Sequence, residues 1–376
     1  MSSDNVVRVS KRTNTACQEL WYNCYVSGKT TLSSVKVHRR RPTLRDVAAL
    51  AGVSYKTVSR VLNDEPGVSP GLTERVRQAS AQLDYHPDHT ASSLRRGNRR
   101  TSSIGLILED VSNPFSGAMY RAVEDVAIAR GVTVLAGSCD EEATRAHSLV
   151  SAFASRRVDG MIVVPPPGDL TPLLLEQRKG TAVVFLDRAP AYSGVDAVVS
   201  DNRRGAARGV AHLIRHGHRR IGFLGDEPSI WTAEERYQGY LDALAAHDLP
   251  VHLRFVRRDS EHGEARRKSV AAMVSADQPP TALFTGQNLI TMDAIRALRA
   301  DGREHDVAMV GFDDFQVADL LEPGVTVIAQ DLSRMGHRAA ELVFERIDGA
   351  DRPVRLEIIP TRLIARGSGE IRPPRD

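Results

Sequence analysis

The chain has 376 residues, too many for one ordinary core, and its 41% hydrophobic and 26% charged composition is that of a globular protein with two or three domains. No run approaches the ~18 apolar residues of a membrane helix, and Cys17, Cys24 and Cys139 form neither a disulfide scaffold nor a metal-ligand pattern, which suits a reducing cytoplasm. The net charge of +3 hides an asymmetry: +3 for residues 1–38, +6 for 39–100 and −6 for 101–376, the outline of a basic nucleic-acid-binding head on an acidic body.

Residues 1–41 are polar and irregular, and we expect a disordered extension. It lacks the apolar core of a secretion signal, because Leu20-Trp21-Tyr22 is broken at once by Asn23 and Cys24. Arg39-Arg40-Arg41 is suited to phosphate contacts, which add affinity without reading sequence.

Residues 42–86 read as a three-helix head. Thr43 can cap a first helix, with Asp46 at its third position, and Leu44, Val47, Ala48 and Ala51 form one apolar face. Gly52 ends this helix, since glycine enters the left-handed conformation without strain. Ser54 caps a second helix whose Val58, Val61 and Leu62 face inward. That leaves Tyr55, Lys56, Thr57, Ser59, Arg60 and Asn63 on or near its outer face. A short helix with donors, cations and an aromatic near its start fits the DNA major groove. Ser69-Pro70 begins a third helix, with Leu72, Val76, Ala79 and Leu83 turned toward the other two.

The strings Asp46-Val-Ala-Ala-Leu-Ala-Gly-Val-Ser54 and Thr57-Val-Ser-Arg-Val-Leu-Asn63 closely resemble the DNA-binding motif of the lactose/galactose repressor (LacI/GalR) family. The resemblance implies a helix-turn-helix head that binds double-stranded operator DNA as a homodimer. By it, Thr43, Ser54, Tyr55, Lys56, Thr57, Ser59, Arg60 and Asn63 contact DNA. The family's motif usually lies close to the chain start, so residues 1–38 are either a genuine tail or an over-long start assignment, with translation beginning near Val35 or Val37. Residues 87–101 correspond to the family's hinge, which becomes a short helix in the minor groove; Ala91 and the wedging Leu94 occupy its contact positions. Asp88 and Ser92 stand where the family usually has Asn and Arg, a change that weakens attraction to phosphate.

From Ser103 short apolar runs alternate with amphipathic stretches. Strands are expected at 104–108, 132–135, 160–164, 183–186, 220–224, 251–256, 282–284 and 307–310. Helices are expected at 116–130, 141–156, 203–216, 233–247, 263–275, 288–300 and 332–349. Two such series argue two lobes with parallel sheets covered on both faces. Ser112-Asn113-Pro114-Phe115, Phe185-Leu186-Asp187-Arg188 and Gly311-Phe312-Asp313-Asp314 extend the resemblance to that family's two-lobed effector domain, similar in fold to periplasmic binding proteins. The expected fold is α plus α/β: the head and hinge helix, then a two-lobed body over 102–368 with two parallel sheets and three crossovers. By similarity the crossovers fall near 200–202, 329–331 and 354–356. Lobe 1 takes about 102–200 and 331–353, lobe 2 about 201–329 and 354–368, and 369–376 is a tail. The chain shows no long C-terminal heptad segment of the kind that makes tetramers, hence the dimer.

Open parallel sheets bind ligands beyond the carboxyl ends of their strands. The resemblance places Phe115, Asp187, Arg188, Thr232, Arg236, Gln287 and Asp313 in the cleft as effector contacts. The expected effector is a sugar or sugar derivative that controls hinge order and DNA affinity. Two departures weaken a plain pentose or hexose. Gln287-Asn288 stands where the family often has Asn-Asp, and the 257–263 loop lacks the family's stacking aromatic. A phosphorylated, carboxylate or nucleobase ligand sensed through Arg257 or Arg258 is the alternative, as is an activator role. No Ser-x-x-Lys, Gly-x-Ser-x-Gly or His-Glu-x-x-His string is present, so an enzyme is not expected. A periplasmic solute-binding protein would have no use for the head. His212, His216 and His218 suit helix-end contacts better than a metal site, and neither metal nor cofactor is expected.

Overall fold

The computed structural model describes residues 42–63, 65–85, 100–189 and 194–374. The N-terminal extension with Arg39–Arg41, and the hinge positions Ala91 and Leu94, lie outside the described residues. The chain divides into two compact units, 1–88 and 89–376.

In the first unit, local sequence codes each helix end. Helix α1 (Leu44–Ala51) opens with a reciprocal box, in which Asp46 N donates to Thr43 Oγ1 at 3.4 Å and Thr43 N donates to Asp46 Oδ2 at 2.7 Å. It closes at Gly52, whose φ of 62° is left-handed. Helix α2 (Tyr55–Leu62) starts where Thr57 N donates to Ser54 Oγ at 3.1 Å. Helix α3 (Pro70–Gln82) carries its proline in the first turn, where the missing N–H is not needed. Val47, Ala51, Val58, Val61, Val76 and Ala79 close the core. Gly52→Ala would force a side chain into the left-handed region and against the Arg75 guanidinium. We expect it to cost the head about 1–2 kcal/mol, read from its thermal melting.

The second unit has two six-stranded sheets. Lobe 1 contains β1 (Ser103–Leu108), β2 (Thr133–Ser138), β3 (Gly160–Val163), β4 (Ala182–Leu186) and β5 (Asp196–Ser200). Lobe 2 contains β6 (Ile221–Gly225), β7 (Val256–Arg258), β8 (Ala282–Thr285), β9 (Ala308–Phe312) and β10 (Thr326–Ala329). The last strands are β11 (Leu356–Ile359) and β12 (Arg362–Ile364). The orders are β11-β5-β4-β3-β1-β2 and β12-β10-β9-β8-β6-β7, so the lobes repeat one topology. Helices α4 (Pro114–Ala129), α5 (Ala143–Ser155) and α6 (Thr171–Arg178) belong to lobe 1, as does α11 (Leu332–Ile347). Helices α7 (Asn202–Arg215), α8 (Trp231–Ala245), α9 (Gly263–Val274) and α10 (Asn288–Ala300) belong to lobe 2. Strands such as Ile104–Leu108 are buried on both faces, as a sheet covered by helices requires.

Several expectations need correction. The sheets are not wholly parallel: β12 runs antiparallel to β10. The third crossover falls at Pro360–Thr361 rather than near 354–356, because β11 pairs with β5 of lobe 1. The strand expected at 251–256 is displaced to β7, after a 3-10 turn over Leu253–Phe255. The expected tail begins inside the fold. Ser368 and Gly369 are buried, Glu370 takes hydrogen bonds from Thr326 and His212, and His218 Nε2 donates to the Ile371 carbonyl at 2.8 Å.

Asp196 ties the end of α11 to β5. Its buried carboxylate accepts from Arg346 Nε at 2.8 Å, Arg352 Nη1 at 2.9 Å and Arg355 N at 2.7 Å. Burial alone would raise its pKa, but these bonds outweigh burial and hold it below the usual carboxylate range. Its stabilisation is therefore present above that range and lost as pH falls through the depressed value. Asp196→Ala removes the carboxylate partner of Arg346 while Arg352 keeps Glu345, and we expect a loss of about 1.5–3 kcal/mol in denaturant titration at neutral pH.

Candidate functional site

Two candidate sites are present, the exposed face of α2 in the head and a cleft between the lobes of the body. On α2, Tyr55 is 41% exposed and Lys56 is exposed beside it, in the turn that Ser54 caps. Ser54 Oγ and Thr57 Oγ1 lie 2.8 Å apart, and Asn63 Nδ2 donates to Ser59 Oγ at 3.3 Å. Arg60 is engaged within the head. Its guanidinium donates to the Pro66 carbonyl and sits 3.9 Å from Glu65, so it holds the loop to α3. Thr43 is likewise committed to capping α1.

In the body, the repeated topology sets equivalent strand ends opposite one another. Glu109 follows β1 and Asp226 follows β6; Asp187 follows β4 and Asp313 follows β9. Asp187 and Asp313 share a left-handed backbone, with φ of 67° and 71°. Non-glycine residues held in that region concentrate at functional sites. Neither Glu109 nor Asp226 was singled out from sequence. The available signal was a carboxylate that ends a wholly buried strand.

Arg236 and Asp313 meet as the resemblance implied. The pair is buried, with Nη1 donating to Asp313 Oδ2 at 3.1 Å. Arg236 Nη1 also donates to the Gly286 carbonyl at 2.7 Å, Nε donates to Asn202 Oδ1 at 2.8 Å, and the guanidinium stacks 3.9 Å from the Phe312 ring centre. Gly239 makes this possible. A Cβ there would stand 2.1 Å from the Arg203 carbonyl, so only glycine lets α8 approach α7 closely enough for Arg236 to reach Asn202. The pair also connects to both of the first two crossovers. Asn202 lies at the first; at the second, Gln330 Nε2 donates to Asp313 Oδ1 at 2.6 Å and Gln330 Oε1 accepts from Ser200.

On lobe 1, Arg188 spends its two terminal nitrogens on Glu141, at 2.6 and 2.5 Å. Its Nε lies 3.7 Å from Asp187 Oδ2. Asp187 is buried, and its Oδ1 has no hydrogen-bond partner. Burial raises the Asp187 pKa, against the opposing pull of Arg188 and of Arg236 from the other lobe. Burial pushes Glu109 up to about 7, although Ser116 donates to its Oε1 at 2.6 Å. Gln287 caps α10 and donates to Asp226 Oδ2 at 3.0 Å; burial raises the Asp226 pKa despite that bond. Asn113 and Asn288 bridge the lobes, with Asn288 Nδ2 donating to Asn113 Oδ1 at 2.8 Å.

The remaining expected residues fall less centrally. Phe115 packs into the apolar cluster of lobe 1 instead of standing open as a stacking platform. Thr232 is buried in the first turn of α8. Beside it Trp231, passed over in the sequence, is partly exposed and lines a cavity of about 710 Å³. The Pro165–Thr171 loop and Arg188 form the lobe 1 wall of that cavity, and Pro228, Ser229 and Glu234 complete the lobe 2 wall. Trp231 supplies an aromatic face that the 257–263 loop lacks. Arg258 is held by Glu234 and stacks 4.0 Å from the Tyr237 ring centre, while Arg257 donates to Ser269 and to backbone carbonyls. His212, His216 and His218 are each engaged by protein groups, and no metal-binding cluster exists among the described residues.

Residues 43–88 match the model for bacterial regulatory proteins of the lacI family, and residues 210–369 match the periplasmic binding protein-like domain. The chain is 31% identical over 332 residues to the HTH-type transcriptional regulator GalR of Escherichia coli strain K12, spanning 87% of this chain and 95% of that protein. The chain belongs to the lacI family. This member is a DNA-binding transcriptional regulator, as are its curated relatives. Among solved structures it is similar to a transcriptional regulator CelR–cellobiose complex, at 30% identity over 87% of this chain and 100% of that one, with a TM-score of 0.66. The lac repressor dimer bound to operator and the anti-inducer ONPF shares the fold, with 24% identity, coverage of 88% and 99%, and a TM-score of 0.77. No helix among the described residues is long and apolar enough to cross a membrane.

Proposed function

We propose that this lacI-family regulator is a cytoplasmic, non-enzymatic repressor that binds a two-fold symmetric operator as a homodimer and releases or tightens on it when a polyhydroxylated effector enters the cleft. The observation that carries the effector reading is the buried Arg236–Asp313 clamp, hydrogen-bonded to residues at both of the first two crossovers. A ligand gripping that clamp acts directly on the segments about which the lobes turn. Forked guanidinium donors and carboxylate acceptors suit vicinal hydroxyls, and Trp231 suits the apolar face of a sugar ring. Cellobiose in the similar CelR complex agrees with this chemistry.

In this reading Tyr55, Lys56 and Thr57 read base edges, Thr43, Ser54, Ser59 and Asn63 hold the reading helix and reach the DNA backbone, and Arg60 braces the loop. Ala91 and Leu94 are assigned to the minor groove. Lobe 1 takes 102–200, 331–347 and β11, and lobe 2 takes 201–329 with β12 and the 368–371 turn. Asp187, Arg188, Arg236 and Asp313 contact effector directly, with Gln287 and Thr232 supporting the wall and Phe115 backing it. A phosphate or carboxylate effector is disfavoured, because Arg257 and Arg258 are committed elsewhere while four carboxylates converge on the cleft.

The test selects DNA from a random pool and titrates it by fluorescence anisotropy at fixed salt, with and without a panel of sugars. Symmetric half-sites whose affinity shifts with a sugar are expected. Weak binding without sequence preference would overturn the operator reading. Symmetric binding that no sugar alters would overturn the effector reading alone.

A further inference from the structure

The cleft is more acidic than hydroxyl recognition needs. Two carboxylate oxygens on lobe 1, Glu109 Oε2 and Asp187 Oδ1, are out of solvent contact and have no hydrogen-bond partner. Asp187 is only 4% exposed; Arg188 beside it and Arg236 of lobe 2 favour its charge, and Asp313 of lobe 2 opposes it. Asp226, the lobe 2 counterpart of Glu109, is raised in pKa chiefly by burial, with the like charge of Glu141 on lobe 1 adding to it.

The terminal nitrogens of the cleft's arginines are held by protein groups, while the buried Nε of Arg188 has no hydrogen-bond partner and lies 3.7 Å from Asp187 Oδ2. Arg188 is forked onto Glu141 and donates to the Pro165 carbonyl at 3.2 Å. Arg236 serves Asp313, Asn202 and Gly286. Arg258 serves Glu234, and Arg266 serves the Asp259 and Glu261 carbonyls. A buried carboxylate whose charge is only partly offset carries a desolvation penalty. A sugar hydroxyl can fill one lone pair, but it adds no positive charge to a cleft where Glu109, Asp187, Glu141, Asp226 and Asp313 outnumber Arg188 and Arg236. A protonated amine answers both needs, with donors for the two open oxygens and a charge of the right sign. A phosphate or carboxylate would add a further anion to the cluster.

We infer that the effector is an amine-bearing polyol, an amino sugar or its open-chain equivalent, whose ammonium group seats between Glu109 Oε2 and Asp187 Oδ1 while its hydroxyls engage the Arg236–Asp313 clamp. This rests on the reading of the cleft as an effector site and adds the ligand's charge to it. The pKa values of Glu109, Asp187 and Asp226 are raised chiefly by burial, which the nearby arginines only partly offset. Glu109 is then the specificity-determining residue: it selects amine over hydroxyl.

The test uses the full chain and isothermal titration with glucosamine, galactosamine and N-methylglucamine. Glucose, galactose, sorbitol, N-acetylglucosamine and glucose 6-phosphate serve as matched controls. At least one amine is expected to bind about 10-fold or more tightly than its neutral parent, with the phosphate not binding. Glu109→Gln is expected to erase that preference, so that the amine and its neutral parent bind within about 3-fold of each other. Without ligand it should melt at the same temperature as the parent chain or higher, because it removes a charge that burial and neighbouring Asp187 both disfavour. A neutral sugar that binds as well as its amine overturns the inference and leaves the effector reading standing. So does an unliganded Glu109→Gln that melts lower, since Glu109 would then be a satisfied structural group. Failure of every compound to bind overturns the inference and the sugar-effector reading together.

Discussion

Arg236→Ala is expected to make operator binding indifferent to effector and to destabilise the body by about 3–5 kcal/mol, because it leaves Asp313 buried with its charge uncompensated. Asp313→Ala should cost a similar amount for the mirror reason. The two losses should not add. With both charges gone the double variant loses no stranded ion, and a double-mutant cycle should give a coupling of about 1.5 kcal/mol or more. Denaturant titration gives the stability terms, and anisotropy with a responsive sugar gives the functional one. Purely additive losses would mean that the two side chains act separately. A variant that folds and still responds to effector would remove the clamp from the mechanism. The clamp matters for response because Asn202 and Gln330, at the first two crossovers, bond directly to it. Closing the cleft around a ligand therefore cannot leave the crossovers unchanged, and reciprocity requires DNA to alter effector affinity by the same factor.

Tyr55→Ala and Lys56→Ala should each lower operator affinity by about 5- to 150-fold, the range of about 1–3 kcal/mol for one lost base contact. Both side chains stand exposed on the first turn of α2, and neither belongs to the apolar core of the head, so the melting temperature should hold. The two variants are separable. If Lys56 binds phosphate, its loss weakens all DNA alike and flattens the salt dependence by about one ion. If Tyr55 reads a base edge, its loss relaxes the preference at one position of each half-site and leaves the salt slope unchanged. Arg60→Ala should behave differently from both. Its guanidinium is turned onto Pro66, so its removal should loosen the loop to α3 before it touches DNA affinity.

The head was readable from sequence because its determinants are local. Thr43 and Asp46 box one helix start, Ser54 caps another, Gly52 supplies the left-handed turn, and the apolar spacing closes the core; each relation spans only a few residues. The alternation of strands and helices was readable for the same reason, since buried parallel strands are short continuous apolar runs. The clamp residues were reached through motif resemblance, and the structure brings Arg236 and Asp313 together as that implied.

What escaped the sequence depends on partners far away along the chain. Leu356–Ile359 is a short strand with little periodicity of its own, and pairing with β5 assigned it to lobe 1 and moved the third crossover. Residues 369–371 look like a tail until His212, His218 and Thr326 bind them. Glu109 and Asp226 are ordinary carboxylates after apolar runs. They become paired features of one cleft only because two sheets of identical strand order face each other. Trp231 became a cleft wall by lying opposite the Pro165–Thr171 loop. Sequence by itself determined the local elements of the head and the family, because capping, turns and periodicity act over a few residues. Tertiary structure decided which charges share a buried, low-dielectric space, because that follows from strand order and lobe pairing and has no local signature.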